Sequence, residues 1–122
     1  MASLILDIVI DKREYHVGES VGVEIMLKNT GQSTNLTFTT SQLFDLVVKR
    51  AEETVYVWSK GRMFAQVIDE INLAPRDVIE RKFSWTPQTH GMYELEGQTP
   101  RFIADGEELT LKTRQESVVV RA

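Results

Sequence analysis

Apolar and polar residues alternate one by one over much of this chain, the pattern of strands that bury one face. Leu4, Leu6, Ile8 and Ile10 share one parity and Asp7 takes the other. Val21, Val23, Ile25 and Leu27 alternate with Gly22, Glu24, Met26 and Lys28. Ile79, Phe83 and Trp85 fall together on one side of 78–85, with Arg81 among them, and Leu109 and Leu111 repeat the pattern near the end. No segment carries sustained helical spacing. The periodicity predicts an all-β chain.

Turn residues cut the pattern at short intervals. Gly18-Glu19 precedes the strand at Val21, and Asn29-Thr30-Gly31 ends it with residues that tolerate positive φ. Ala51-Glu52-Glu53-Thr54 links two apolar runs, while Pro75, Pro87 with Gly91, and Pro100 mark later breaks. Asp105-Gly106 is the strongest tight-hairpin signal. The predicted strands fall near 4–10, 14–17, 20–28, 35–39, 43–50, 55–58, 66–72, 78–85, 92–97, 101–104, 107–113 and 116–121. Many short strands with regular turns and no helix predict an antiparallel β-sandwich. Segment 59–77 carries mixed signals and reads as an irregular crossover or a single helical turn.

Size and charge narrow the function. With 122 residues and no internal repeat, linker or low-complexity tract, residues 1–122 read as one domain. Net charge is −4, and no basic patch is written in the sequence, which argues against nucleic acid or an anionic membrane as partner. There are no cysteines, which removes thiol catalysis, disulfides and cysteine-based zinc sites. The opening stretch, Met1 to Ile10, is apolar but broken by Asp7 and lacks a basic leader or a small-residue cleavage pattern. It therefore reads as a cytoplasmic chain, although a secretory leader already removed would leave the same sequence.

Three stretches together resemble the BsuPI-type family of intracellular proteinase inhibitors. The first runs from Tyr15-His16-Val17-Gly18-Glu19 to Lys28-Asn29-Thr30-Gly31. The second, and most specific, is Leu36-Thr37-Phe38-Thr39-Thr40-Ser41-Gln42-Leu43-Phe44-Asp45-Leu46-Val47-Val48, continued by Val57-Trp58-Ser59 and Met63-Phe64-Ala65-Gln66. The third is Phe83-Ser84-Trp85 followed by Gly91-Met92-Tyr93. What the resemblance implies is an immunoglobulin-like sandwich that inhibits an intracellular, subtilisin-like serine protease by stoichiometric binding. An immunoglobulin-like accessory module with a non-protease partner is the alternative. The hairpin after Ala51 departs from the pattern in lacking glycine.

Individual residues sort between packing and recognition. Gly91-Met92-Tyr93 reads as a tyrosine corner. Trp85, Trp58 and Phe64 read first as core filling, since each aromatic buries a large area. Asp45, inside the apolar run Leu43–Val48, reads as a carboxylate accepting bonds from a neighbouring turn. His16 and His90 lie in or beside turns, away from any serine in a nucleophile setting, so no catalytic residues are assigned and the chain reads as a non-enzyme. Neither histidine has a metal-ligand companion at motif spacing, and Asp69-Glu70 and Asp105-Gly106-Glu107-Glu108 follow no calcium-loop pattern, so neither metal nor cofactor is expected. The candidate partner-binding residues are Lys60, Arg62, Met63 and Phe64, in a loop between strands; the competing reading buries Met63 and Phe64 as a plug at the end of the core. The run 116–121, with Val118, Val119 and Val120, reads as an edge strand able to pair with a second copy in a homodimer.

Overall fold

In the computed structural model residues 3–122 are described; Met1 and Ala2, the first residues of the apolar opening stretch, lie outside them. The described residues form twelve strands and no helix: β1 (Leu4–Ile10), β2 (Glu14–His16), β3 (Val21–Asn29), β4 (Thr34–Phe38), β5 (Asp45–Arg50), β6 (Glu53–Val57), β7 (Asp69–Leu73), β8 (Val78–Trp85), β9 (Gly91–Gln98), β10 (Phe102–Ala104), β11 (Glu107–Leu109) and β12 (Glu116–Arg121). No helix is therefore long and apolar enough to cross a membrane.

Three sheets result, ordered β1-β3-β8, β2-β12-β9-β5-β6 and β11-β10-β4-β7. The first two face each other as a sandwich. Strand β3 buries Val21, Val23, Ile25 and Leu27, and its intervening residues are partly exposed, as the alternation predicts. Opposite stand Leu46 and Val48 of β5, Tyr93 and Leu95 of β9, and Val118 and Val120 of β12, all in one apolar cluster. Gly97 permits the close approach of the layers: a Cβ there would lie 3.0 Å from Ile25 Cδ1 and 3.0 Å from Thr113 Cγ2. Trp85 meets Tyr93 edge-on at 4.9 Å, and the Tyr93 hydroxyl donates to the Thr89 carbonyl at 2.7 Å, the tyrosine corner expected from Gly91-Met92-Tyr93. The third sheet continues the core at one end, where Phe38 stacks on Phe102 at 4.9 Å. Asn29 joins it to β3 by donating from its side-chain amide to the Gln32 and Leu73 carbonyls.

One local polar link and one long-range chain of ion pairs fix the opening strands. Buried Tyr15 donates its hydroxyl to Asp11, and burial, reinforced by that carboxylate, pushes the phenol up to about 12. On the other side, Arg114 bonds Asp7 of β1 at 2.5 Å and Glu116 of β12 at 2.6 Å, while Arg13 bonds the other oxygen of Glu116. Arg13 first, then Arg114, hold the Glu116 carboxyl below its ordinary range against the opposing effect of burial. At Asp7 burial raises the carboxyl, but the Ile8 amide, Arg114 and Lys28 together outweigh it and lower the value.

Two sequence expectations need correction. The run 116–121 is not an edge: β12 lies between β9, paired antiparallel, and β2, paired parallel through Val119–Arg121. Its alternate valines, Val118 and Val120, are buried in the core, so the homodimer contact assigned to this strand has no free edge to use. The strand expected over 107–113 stops at Leu109. There the chain leaves β10 and follows the end of β9, with Thr99 N bonded to Leu111 O and Thr113 N to Gly97 O. Segment 59–77 resolves into an irregular crossover ending in β7, with no helical turn.

Both hairpin signals hold, with different chemistry. Asp105 and Gly106 have φ of 48° and 81°, the positive pair that a two-residue turn requires. Ala51 and Glu52 occupy the same position between Arg50 and Glu53 with φ of 50° and 69°, although neither residue favours that region. Converting the pair to Asn-Gly (A51N with E52G) is expected to stabilise the fold by about 1 kcal/mol, read as a higher urea midpoint at unchanged slope. The lowered carboxyls of Glu116 and Asp7 contribute stability above the unfolded carboxylate value, about 4.3 for Glu, and lose it as pH falls through their folded values. Glu116→Gln is therefore expected to lower the melting temperature at neutral pH and to flatten its decline below about pH 4, measured by thermal unfolding across the acid range.

Candidate functional site

The sandwich has two long sides, and they are closed differently. The Asp7–Arg114–Glu116–Arg13 chain spans the side of β1 and β12. On the other side β6 and β8 are the outer strands of their sheets. Aromatic rings fill the gap there: Trp58, just after β6, meets Phe83 of β8 edge-on at 4.9 Å, and Phe64 tilts against Trp58 at 5.8 Å. The loop carrying the candidate partner-binding residues leaves from this point.

Its geometry follows from two clamps. At the start, Asp45 accepts hydrogen bonds from the Ser59 amide at 3.0 Å and from the Ser59 hydroxyl, and Trp58 N donates to Leu46 O at 2.9 Å. Asp45 also accepts from its neighbour Leu46 N at 2.9 Å, so this buried carboxylate has its oxygens well used and does the turn-bonding job its sequence position suggests. Further on, Ala65 is bonded on both sides to one residue: its amide donates to Ser41 Oγ at 2.9 Å and its carbonyl accepts from Ser41 N at 3.0 Å. Between the clamps the chain makes two successive turns, Lys60 N to Val57 O and Arg62 N to Ser59 O, with Gly61 at φ 80°.

The four candidate residues do not share one environment. Lys60 and Arg62 are exposed. The Arg62 guanidinium lies over the Trp58 ring at 4.3 Å, and its Nε donates to the Trp58 carbonyl at 2.8 Å, so the cation is folded back onto the loop's own base. Phe64 is half-buried against Trp58. Met63 is 98% exposed. The expectation of a Met-Phe plug is thus met by Phe64 and not by Met63: the two side chains leave the backbone in opposite directions, one onto the aromatic cluster and one into solvent.

Sequence reasoning missed several residues that shape this surface. Ser41 has no local signature, because its two bonds reach Ala65 across 24 positions. Arg81 and Lys82 of β8 border a shallow depression of about 120 Å³ beside Phe64 and Phe44. Among the described residues, none of Lys60, Arg62, Arg81 and Lys82 takes part in an ion pair, although Lys82 stands opposite Glu24 in the β3–β8 ladder and Glu24 is bonded to Glu80.

Other features offer less. A cleft of about 420 Å³ lies at the far end of β6, where Arg50 sits 5.6 Å over the Tyr93 ring, and its lining has no histidine or carboxylate to accept a proton. His16 and His90 are exposed. Among the described residues no three histidine, aspartate or glutamate side chains gather as a metal site. Asp105 instead accepts from the Asn35 amide at 3.0 Å, and Glu108 pairs with Arg101 at 3.2 Å. Removing the first clamp by Asp45→Ala leaves the Ser59 and Leu46 donors without their acceptor and is expected to cost about 2 kcal/mol in chemical unfolding. Asp45→Asn, which keeps one acceptor oxygen, should lose less.

Comparison with known proteins places this architecture. Among solved structures the chain is similar to the CARDB domain of a Pyrococcus furiosus protein in complex with di-metal ions (17% identity, TM-score 0.55, covering 98% of this chain and 88% of that one). It is also similar to the sporulation control protein Spo0M of Bacillus subtilis (16% identity, TM-score 0.57), where all of this chain matches 51% of the other. A Listeria innocua β-glucosidase in complex with glucose matches 99% of this chain over 16% of its own length, at 13% identity and TM-score 0.56. At such identities these likenesses show the fold alone, an immunoglobulin-like β-sandwich. No curated protein matches by sequence. The profile of the intracellular proteinase inhibitor family, BsuPI, matches residues 8–101 and so covers β2 to β9, both clamps and the loop between them: the chain belongs to the BsuPI family of intracellular proteinase inhibitors.

Proposed function

We propose that this chain is a stoichiometric inhibitor of a cytoplasmic, subtilisin-like serine protease, and that residues 1–122 act as one inhibitory domain. The loop through Lys60, Arg62, Met63 and Phe64 faces the enzyme. The observation that supports this reading most directly is a loop that is exposed yet tied at both ends, by Asp45 at Ser59 and by Ser41 at Ala65. A loop ordered before binding loses little conformational freedom when it docks, so more of its contact energy appears as affinity. A protease–inhibitor interface needs about 800 Å² from each partner, which the loop and the adjoining edge of β8 can supply together.

The unpaired cations beside the loop add a preference. Lys60 and Arg81 would meet an enzyme whose cleft rim is acidic, and complementary charge of this kind acts mainly on the association rate. Nucleic acid and membrane surfaces remain disfavoured partners on the net charge of −4.

The test is a titration. Increasing amounts of the purified domain are added to a fixed concentration of an intracellular subtilisin, and residual cleavage is expected to fall linearly to near zero at about one equivalent if binding is tight. Unchanged cleavage at large molar excess rejects the reading and leaves the accessory module with a non-protease partner as the alternative.

A further inference from the structure

We propose, resting on the inhibitor reading, that Met63 is the side chain that enters the primary specificity pocket of the protease, with the Met63–Phe64 peptide bond seated at the catalytic serine. At 98% exposure Met63 is far more open than the next large apolar side chains, Ile68 at 73% and Met92 at 66%. Its neighbours are spoken for. Arg62 is folded onto Trp58, and Phe64 is tilted against the same ring. Lys60 sits back in the turn closed by Val57 O. The Lys60 side chain is exposed as well, but Met63 is the one apolar side chain of the four left to protrude, and it is unbranched and flexible, a shape that adapts to an apolar pocket.

The competitors are placed differently. Met92 lies within β9, paired to Val119 of β12, so its side chain stands on a sheet face and its backbone is already used. Ile68 directly precedes β7. By contrast, residues 62–68 belong to no strand or turn. Apart from Arg62 N, which donates to Ser59 O, and the Ala65–Ser41 pair, their amides and carbonyls are available to the extended peptide-binding edge of an enzyme, as in recognition by strand addition.

The clamps explain why such a seat inhibits rather than feeds the protease. In acyl transfer the enzyme's serine oxygen bonds to the Met63 carbonyl carbon, the Met63–Phe64 C–N bond breaks, and the serine proton ends on the Phe64 nitrogen. The reverse step re-forms the amide and returns the proton to serine; attack by water instead leaves a carboxyl on Met63. Ser59 is the fifth residue before the bond and is held by Asp45. Ala65 lies two residues after it and is held by Ser41, with Phe64 against Trp58. Both new ends therefore stay where the intact loop had them, and an amine held beside an acyl group rejoins it faster than it diffuses away.

The experiment compares Met63→Leu, Met63→Gly and Met63→Asp with the unaltered chain against a subtilisin-like protease that the unaltered chain inhibits. The inhibition constant is expected to change little for Leu and to rise about 100-fold or more for Gly and Asp. Thermal unfolding should be the same in all four, since Met63 packs against nothing. Prolonged incubation of the unaltered chain with the protease should yield one new amino terminus, at Phe64. Undiminished inhibition by Met63→Asp, a new terminus at another residue, or no new terminus at all would overturn the seating while sparing the inhibitor reading. Absence of inhibition by the unaltered chain would overturn both.

Discussion

The fold depends on the inward row of β3. Val21, Val23, Ile25 and Leu27 are almost fully buried, and β3 is paired on both sides, with β1 and β8. A one-residue slip in either pairing would turn that row to solvent, so the pairing is fixed by burial rather than by hydrogen bonding alone. The facing layer comes close because Gly97 contributes no side chain opposite Ile25. Everything at the periphery, including the clamped loop, inherits its position from this central contact.

A sandwich of two open sheets has to finish its two flanks, and this chain uses unlike chemistry for each. The flank of β1 and β12 is bridged by arginines alternating with carboxylates, groups that tolerate water and bring no apolar surface to the outside. The flank of β6 and β8 is filled by Trp58, Phe64 and Phe83. Rings there make a rigid floor, and a loop built on a rigid floor presents its tip in one place. The same floor accounts for the split between Phe64 and Met63: adjacent residues in an extended segment point opposite ways, so seating one on the aromatics sends the other outward.

Much of this was legible in the sequence. The alternation located β1, β3 and β8, and the turn residues located the hairpins, because a strand with one wet face must alternate and a tight turn must accept positive φ. The role of Asp45 was legible for a similar reason: a carboxylate among apolar neighbours needs donors close by. The valines of 116–121 read as an edge because sequence shows which residues are apolar but not how many neighbours a strand has. The parallel partner, β2, comes from more than a hundred residues away. Strand 107–113 was too long for a related reason, since the pull of Gly97 and Thr99 on Leu111 and Thr113 is tertiary. Within the loop, composition marked Lys60, Arg62, Met63 and Phe64 as a group, but only the ring of Trp58 separates the two that fold back from the one that projects.

The pairing of β2 with β12 also bears on how the molecule is made. Glu14 lies opposite Val119, Tyr15 opposite Val120 and His16 opposite Arg121. During synthesis from the amino end, β2 has no sheet partner until residues near 120 have left the ribosome. Contacts of such sequence separation form late and slow the search for the native state. Until then one edge of β9 is bare, and the nascent chain passes through a stage in which an unpaired strand invites association with other chains. Closing that edge is therefore the last service β12 performs in assembling the sandwich, and it closes β9 and seats β2 in one step.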